Sequence, residues 1–228
     1  MSEIIEHIRQ QNPDTVCLQE FRHGKSKTPI ITALNELGLE HQYSPITELA
    51  RQNSLLIASR HELSERSVLF QDNKGQVHAI NVKVALADNV MLDLINVHLP
   101  HKRAQLPVFE ALFKHTPHSL SSWSLIIGDM NCGIPFEDSD TRTFQNTHLF
   151  QSLLKQGWID AWRSRHQKKK EFSWISTQKH NGYRYDHALA SKPLNDHIQT
   201  IHYNHSVRES KISDHSSLEL EISDRSRQ

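Results

Sequence analysis

The sequence has few cysteines, no glycine-rich nucleotide-binding motif and no long apolar run. Its two cysteines, Cys17 and Cys132, are too few for a disulfide framework or a zinc knuckle, and we expect buried free thiols in a reducing compartment. Its seven glycines form neither GxGxxG nor GxxxxGK(S/T), which excludes the common nucleotide-binding loops. No apolar run reaches the roughly 18 residues of a transmembrane helix. The first residues lack a secretory pattern, so we expect a cytoplasmic location.

An excess of charge of either sign is also lacking. Lys plus Arg is 26 and Asp plus Glu is 26, which excludes the strongly basic class of nucleic-acid coat proteins but still allows a local basic groove. Hydrophobic residues make up 36% and charged residues 23% of the 228 residues, a composition of folded and not of disordered chains. No repeat or Pro/Gly/Ser linker divides the chain, so we expect one domain over residues 1–228.

Short apolar segments predict a mixture of strands and helices. Helical spacing begins at Ile4 and ends before Pro13, and three further helices are predicted over 28–37, 107–113 and 143–154. Strands are predicted over 15–18, 54–58, 65–70, 77–86, 90–97, 125–127, 172–175, 185–190, 198–203 and 218–222, with turns at 72–75 and 87–89. Because hairpin-like runs of strands are interrupted by helices, we expect an α+β, layered α/β fold and not regular βαβ winding.

Polar side chains capable of binding metal or phosphate lie at the ends of these apolar segments. They occur in the segments 18–20, 95–100, 126–131, 183–187 and 213–215. When several strands bring their polar ends to one edge of a sheet, residues distant in sequence form one site. Each segment is weak evidence alone, because the chain has 17 histidines and strand ends are often simply solvated.

Asp129 and Asn131 are the most informative pair. Residues i and i+2 of an extended strand point the same way, so their side chains can share a pocket. Gly128 and Gly133 bracket the pair and would permit tight turns and the close approach of a ligand. The alternative is an Asx-type turn after a buried strand.

In order and spacing, five motifs resemble the endonuclease/exonuclease/phosphatase superfamily, which includes exonuclease III, abasic-site endonucleases, deoxyribonuclease I, sphingomyelinases and inositol-polyphosphate phosphatases. The motifs are LQE at 18–20, NVHLP at 96–100, GDMN at 128–131, YRYDH at 183–187 and SDH at 213–215. The resemblance spans about residues 13–220. It implies a two-sheet β-sandwich flanked by helices, with Mg²⁺ or Mn²⁺ bound at one edge.

The resemblance also implies roles for individual residues. Asp186 would buttress the imidazole of His215 beside the phosphorus, and His98 would contact the phosphate or protonate the leaving oxygen. Asp129 would orient or deprotonate the attacking water, although the choice of general base between Asp129 and His215 stays open. The implied metal-side residues are Glu20, Asp129, Asn131, Asp214 and His215, with Asn131 also contacting the scissile phosphate.

One departure from the family pattern concerns its first strand. Family members begin with a strand that carries a Trp-Asn or similar pair, and no such motif precedes Glu20. We therefore expect a fold that lacks this strand, either because the start is assigned too late or because the strand is absent. This leaves open a non-catalytic truncated relic or binding module as an alternative to an enzyme.

The region around Phe172 to Asp186 resembles the exonuclease III and abasic-endonuclease branch. Trp174 and Tyr183 are candidate substrate walls, and Lys102 and Arg103 could follow a nucleic-acid backbone. Further basic candidates are Arg163, Arg165, Lys168, Lys169 and Lys170. The sequence thus predicts a Mg²⁺-dependent phosphodiester hydrolase, a nuclease that acts on DNA and serves DNA repair. A phosphatase or a sphingomyelinase-like hydrolase is the alternative within the superfamily.

Overall fold

The apolar segments form β-strands with helices between them. The computed structural model describes residues 2–25, 27–47, 52–86, 90–117, 123–142 and 144–223. The helices are α1 (Ser2–Gln11), α2 (Lys27–Glu36), α3 (Leu106–Leu112), α4 (Thr147–Lys155), α5 (Ala161–Arg165), α6 (Lys192–Asn195) and α7 (Ser206–Glu209). The strands are β1 (Thr15–Arg22), β2 (His41–Tyr43), β3 (Asn53–Ser59), β4 (Leu63–Gln71), β5 (Val77–Ala85), β6 (Met91–His98), β7 (Trp123–Asp129), β8 (Ile159–Asp160), β9 (Trp174–Ile175), β10 (Gly182–Tyr183), β11 (Asp186–Ala190), β12 (Ile198–Asn204) and β13 (Ser217–Ile222).

The largest sheet has six strands in the order β4-β5-β6-β7-β11-β8, and we call it the central sheet. Only β6 and β7 run parallel among its pairs; the other described pairs are antiparallel. Strands β5, β6 and β7 are buried along almost their whole length. Layers cover both faces of these strands, which explains why their sequences are nearly continuous in apolar residues.

Two smaller sheets cover one face of the central sheet. One has the order β1-β3-β2 and the other pairs β12 with β13. Strand β1 lies against β6 and β7, whereas β13 lies against β11. Helices α3 and α4 pack on the opposite face through Phe109, Leu112, Phe150 and Leu153, while α1 and α2 pack on the outer face of β1 and β3. The expected α+β fold of two β-layers flanked by helices is confirmed.

The two small sheets are not paired with each other in the described ranges, and we call the interval between β1 and β13 the slot. In the described ranges, β1 pairs only with β3 and β13 only with β12. Beneath this slot, Ile127 on the central strand β7 is only half-buried, and Cys17 and Leu218 on the flanking strands are half-buried too. The described residues therefore contain no strand between β1 and β13, as the departure from the family pattern predicts.

Several element boundaries differ from the sequence-based predictions. The helix predicted over 143–154 begins only at Thr147, because the Asn146 side chain donates to the Lys102 carbonyl and the Gln105 side chain and ends the preceding loop. The strand predicted over 172–175 is limited to β9. Strand β2 and helix α5 were missed because both are short; α5 is capped by Asp160, whose carboxylate accepts the Arg163 N–H.

Three other expectations concern the predicted turns, the burial of the two cysteines and membrane-spanning helices. The turn predicted at 72–75 is present, whereas 87–89 and Thr143 lie outside the described residues. Both cysteines are free, and Cys132 is buried as expected, but Cys17 is only half-buried because it borders the slot. None of the described helices has the length and hydropathy that crossing a bilayer requires.

Gly128 on β7 lies opposite Val97 on the neighbouring strand β6. Its φ of +135° is unfavourable for other residues, and an added Cβ would lie 2.1 Å from the Val97 carbonyl oxygen. The glycine therefore permits the approach of the chain's own neighbouring strand, and not of a ligand as we expected. The space at Gly133 is likewise filled by Asp138.

We expect Gly128→Ala to reduce the free energy of unfolding by about 3 kcal/mol, because strain at φ adds to a clash with rigid backbone. Urea unfolding followed by circular dichroism measures the loss. Gly75→Ala is the matched control, since Gly75 also has a positive φ but faces the flexible Gln52 side chain; we expect it to cost about 1 kcal/mol. Equal losses in the two variants would contradict this explanation.

Candidate active site

Three adjacent strands bring His98, Asp129 and Asp186 into one row at the edge of the central sheet. The register pairs His98 with Asp129 across β6 and β7, and Asp129 with Asp186 across β7 and β11. Strands β6 and β7 are parallel and end together, and the antiparallel β11 begins at the same place. The row therefore follows from strand direction and register, which sequence spacing alone does not specify.

Asp129 and Asn131 share a pocket, but through a turn and not through an extended strand. Strand β7 ends at Asp129, and Asn131 has a φ of +46°. The Asp129 carboxylate accepts the backbone N–H of Asn131 at 2.8 Å and its side-chain N–H at 3.1 Å. This is the Asx-type turn that was the alternative, and it also brings the two side chains together. The Asn131 amide donates in addition to the Leu99 carbonyl, so it ties the loops after β6 and β7 together.

His215 is paired with Asp186, as the resemblance implies. His215 Nδ1 lies 2.7 Å from Asp186 Oδ2, across 29 residues of sequence. Burial opposes the charged ring, but the charge and hydrogen bond of Asp186 raise the pKa of His215 to about 9. Burial likewise opposes the charged carboxylate, yet His215 holds the pKa of Asp186 below its usual value. Near neutral pH the two groups therefore form an ion pair.

The pKa values of His98 and Asp129 are shifted in opposite directions. His98 Nε2 lies 3.7 Å from Asp129 and 3.9 Å from Glu20. Burial, followed by the charges of His78 and His215, lowers the pKa of His98 to about 4, so its ring is neutral at pH 7. Burial and the nearby Asp186 carboxylate raise the pKa of Asp129, although His215 and the Asn131 N–H oppose the shift.

Glu20 reaches the same region from the second layer. It occupies an irregularity in the β1–β3 pairing between Leu18 and Phe21, has a φ of +56°, and has a side chain that is 60% exposed. The preceding Gln19 donates to Asn96 at 2.8 Å, and the buried Asn96 amide donates to the Leu18 and Leu56 carbonyls. This amide link joins the two layers and holds Glu20 near His98.

Aromatic rings line one side of the row. Tyr183 and Tyr185 stack with ring centroids 5.1 Å apart, and Trp174 lies 5.6 Å from Tyr185. Tyr185 lies 6.4 Å from the His215 ring, whereas Tyr183 is buried and its hydroxyl lies 3.3 Å from Thr141 Oγ1. Tyr185, which sequence reasoning did not select, is therefore the more accessible tyrosine. Its i+2 spacing from Tyr183 within YRYDH is the signal that could have found it.

The predicted basic and acidic candidates have different environments. Lys102 and Arg103 are exposed just after the His98 loop, and Lys168, Lys169 and Lys170 are also exposed. Arg163 and Arg165 are instead used internally: Arg163 binds Asp138 and several carbonyls, and Arg165 binds carbonyls at Asn195 and Ile198. The prediction that these two arginines follow a nucleic-acid backbone is therefore wrong. Asp214 is exposed and accepts a hydrogen bond from Trp174 Nε1.

A buried ion network lies behind the row and was not found from the sequence. Arg184, fully buried, binds Asp138 and Asp160 with two hydrogen bonds each. His187, also buried, lies 2.9 Å from the Cys132 carbonyl through Nε2. Arg184 and His187 flank Asp186 in sequence, so the network fixes the start of β11 against the loop that follows Asp129.

The donor set suits a divalent cation held by few protein oxygens. Asp129 lies near two further carboxylates, Glu20 and Asp186, and both raise its pKa. Crowded negative charge of this kind is relieved by a bound cation. Within the described ranges, no group of three or more His, Cys, Asp or Glu side chains is arranged to hold a metal by itself. Mg²⁺ commonly uses one or two carboxylates with water and substrate phosphate, so Glu20 fits such a site.

Comparison with known proteins identifies a family and a shared fold. The model of the Endonuclease/Exonuclease/phosphatase family matches residues 1–215. An AP endonuclease from Archaeoglobus fulgidus has a similar structure, with a TM-score of 0.80 and 19% identity over 97% of this chain and 93% of that one. The 3′ phosphatase NExo from Neisseria, bound to a product DNA hairpin, gives a TM-score of 0.82 and 20% identity over 97% and 94%. At these identities the solved structures show a common fold.

Proposed function

Because the chain belongs to the endonuclease/exonuclease/phosphatase family, we propose that it is a divalent-metal-dependent phosphodiester hydrolase that cleaves DNA by attack of water on phosphate. The proximity of His98, Asp129, Asp186 and His215 at one sheet edge supports this proposal most directly. A neutral imidazole, a crowded carboxylate and a charged imidazole then lie side by side. Phosphodiester hydrolysis needs a base, a phosphate-binding group and a proton source.

Asp129 is the general base in this proposal, and His215 binds the phosphate as a cation. The ion pair with Asp186 keeps His215 protonated near neutral pH, so its ring cannot accept a further proton there. With Nδ1 bound to Asp186, its Nε2–H faces outward for a phosphate oxygen or the leaving oxygen. In the chain alone, burial and the Asp186 carboxylate raise the pKa of Asp129 to about 8; a cation bound beside it would favour the ionised carboxylate, which can accept a proton from water.

His98 and Asn131 provide neutral contacts. Because burial keeps the His98 ring uncharged, it can donate to a phosphate oxygen without competing for Asp186. The Asn131 side chain is held by Asp129 and Leu99, so its orientation is set before substrate binds. Fixed donors of this kind stabilise developing charge without reorganising during the reaction.

Glu20 would be the principal metal ligand in this proposal, and Asp129, Asn131 and Asp214 would contribute directly or through water. His215, which Asp186 keeps charged, would act on the metal side only through bound water. A bound Mg²⁺ or Mn²⁺ neutralises charge on the phosphate and stabilises the leaving oxygen. The exposed carboxylate of Glu20 is accessible to an ion from solvent. Its carboxylate lies 3.9 Å from His98 Nε2, so an ion held there would be at the same end of the sheet as the proposed base.

DNA is the proposed substrate because aromatic and basic side chains flank the row. Trp174 and Tyr185 offer faces for a sugar or base, with Tyr183 stacked behind them. Lys102 and Arg103 are exposed on the loop that follows His98 and would meet backbone phosphates. A structural relative that carries a DNA hairpin product adds support for this substrate class.

The proposal is tested with the purified chain and fluorescent DNA oligonucleotides that contain an abasic site, a 3′-phosphate or an intact duplex. Plasmid, sphingomyelin and inositol phosphates complete the panel. We expect cleavage of at least one DNA substrate with Mg²⁺ or Mn²⁺, loss of cleavage in EDTA, and recovery when metal is restored. The Asp129→Asn protein, purified in parallel, reports any contaminating nuclease.

The alternative is a non-catalytic binding module, and the absence of pairing between β1 and β13 in the described ranges favours it. A sandwich with half-buried Ile127 and unpaired strand edges loses burial and hydrogen bonds that would stabilise the site. If the folded chain binds DNA but cleaves nothing in the panel with either metal, the hydrolase proposal is wrong and the binding module remains.

A further inference from the structure

His78 is a buried histidine directly behind the candidate active site. It lies on β5, its side chain is 3% exposed, and its Nδ1 is 2.8 Å from the carbonyl oxygen of His98. The ladder between β5 and β6 runs to the Ala79–Val97 pair. One residue beyond that pair, the His78 ring binds the main chain of His98, at the point where β6 leaves the sheet.

Asp72 holds the other side of the His78 ring. Asp72 Oδ2 lies 3.3 Å from His78 Nε2, and Oδ1 accepts the backbone N–H groups of Lys74 and Gln76, each at 2.9 Å. Burial opposes its charge, but the Gln76 N–H and the His78 hydrogen bond lower the pKa of Asp72. The turn between β4 and β5 thus presents a fixed carboxylate. Both ring nitrogens of His78 therefore lie within hydrogen-bond distance of oxygen atoms.

The peptide between His98 and Leu99 is consequently held from two sides. His78 binds the His98 carbonyl, while the Leu99 N–H donates to the Asp129 carbonyl at 2.8 Å. We call the hydrogen bonds between Asp72 and His78 and between His78 and the His98 carbonyl the clamp. Next to it lies a cavity of about 360 Å³, lined by His78, Asp72, Pro100 and Pro107 among others. The buried Leu99 side chain anchors the far end of the peptide in the core, whereas at the His98 end, which borders the cavity, the His78 hydrogen bond holds the carbonyl.

We propose that Asp72 and His78 are positioning residues that pin the His98–Leu99 peptide and thereby hold the His98 imidazole between Glu20 and Asp129. This inference rests on the proposed function for its effect on rate, but its structural part does not. His78 is buried and touches no substrate in this account. It acts through the backbone of His98, whose side chain meets the phosphate.

Removal of the clamp is tested with His78→Leu and its conservative counterpart His78→Asn, whose amide can still donate to the His98 carbonyl. We expect His78→Leu to lower kcat by about 30-fold with KM nearly unchanged, because small displacements of a catalytic group cost up to about 10²-fold. His78→Asn should recover most of the rate. His41→Leu, a half-buried histidine on the edge strand β2, is the matched control and should keep the wild-type rate.

A double-mutant cycle separates positioning from general destabilisation. If His78 acts through His98, then His78→Leu has little further effect on the rate of His98→Ala. Equal effects of His78→Leu in both backgrounds would overturn the inference, as would a His78→Leu enzyme with the full rate. If His78→Leu does not fold, Asp72→Asn is measured in the same cycle, with an expected loss of about 5-fold.

Amide hydrogen exchange gives a readout that does not need activity. In His78→Leu we expect the Leu99 N–H to exchange at least about 10-fold faster, while the N–H of Ile95 in mid-strand keeps its rate. An unchanged exchange rate of the Leu99 N–H would contradict the inference even if the enzyme is active. Faster exchange in a chain that cleaves no substrate supports the clamp and rejects only the proposed function.

Discussion

Asp129→Asn is expected to lower turnover by about 10³-fold without loss of stability. The amide has nearly the same shape, and its oxygen can still accept the backbone N–H of Asn131, while the Asn131 side chain keeps its hydrogen bond to the Leu99 carbonyl in place of the one to Asp129. The amide cannot take a proton from water, and general bases contribute about 10²–10⁴-fold. Burial and Asp186 already disfavour the charged form of Asp129, so removing the charge relieves repulsion. We therefore expect an unchanged or higher Tm together with the lost rate.

The rate and the stability are measured on the same preparation. Single-turnover cleavage of the best DNA substrate reports the chemical step, and thermal unfolding reports the Tm. Asp140→Asn is the matched control: its carboxylate lies in the loop that follows Asp129 and accepts only the Gly182 N–H among the described contacts. It should keep the wild-type rate. An Asp129→Asn enzyme with more than a tenth of that rate would show that the base lies elsewhere.

Arg184→Met is expected to reduce the free energy of unfolding by about 3–5 kcal/mol, because it leaves the buried Asp160 carboxylate without its arginine and leaves Asp138 with Arg163 alone. Burial opposes the charge of both carboxylates, yet Arg184 holds the pKa of each below its usual value. Groups with lowered pKa values contribute stability above their unfolded pKa of about 4 and lose it as pH falls through the folded value. The difference between wild type and variant should therefore be larger at pH 7 than at pH 4.

Urea unfolding at the two pH values measures this difference. The triple variant Arg184→Met, Asp138→Asn, Asp160→Asn removes the stranded charges and should recover part of the loss. Arg165→Met is the matched control, since the Arg165 guanidinium binds carbonyls and the Asn195 side chain and no carboxylate among its described hydrogen bonds. We expect it to cost less than half as much. A loss that is equal at both pH values would mean that packing against Trp162, and not charge, is the cause.

Arg184 also connects stability with the site, because it lies two residues before Asp186. The same side chain that neutralises Asp138 and Asp160 therefore fixes the strand that carries the partner of His215. Sequence reasoning placed Arg163 and Arg165 on a nucleic-acid surface and overlooked Arg184, although all three are arginines in polar segments. Whether an arginine is buried depends on the carboxylates that other segments bring to it, which local sequence does not reveal.

Much of the fold could be predicted from local patterns. The nearly continuous apolar segments of β3, β5, β6 and β7 marked strands that are buried on both faces, and the helix that ends before Pro13 has the expected end. Short elements such as β2 and α5 could not be predicted, because two to five residues carry too little periodicity. The start of α4 was misplaced because the side chain of Asn146 bonds to a loop 44 residues away.

The candidate site, like the fold, could be predicted only in part from the sequence. The order of the motifs was sufficient for the family and for choosing His98, Asp129, Asp186 and His215. The contacts around them were not predictable: the Asx turn at Asn131 instead of an extended pair, the exposed Asp214 beside Trp174, and the clamp of His78 and Asp72 on the His98 carbonyl.

The sequence by itself determined the residue types that can do phosphate chemistry and the strands that carry them, because apolar period and turn chemistry are local properties. Only the tertiary structure decided which of those groups meet, how each is charged and which arginine is buried. Strand register brings His98, Asp129 and Asp186 into one row, and electrostatic energy depends on distance and burial between segments that are far apart in the chain.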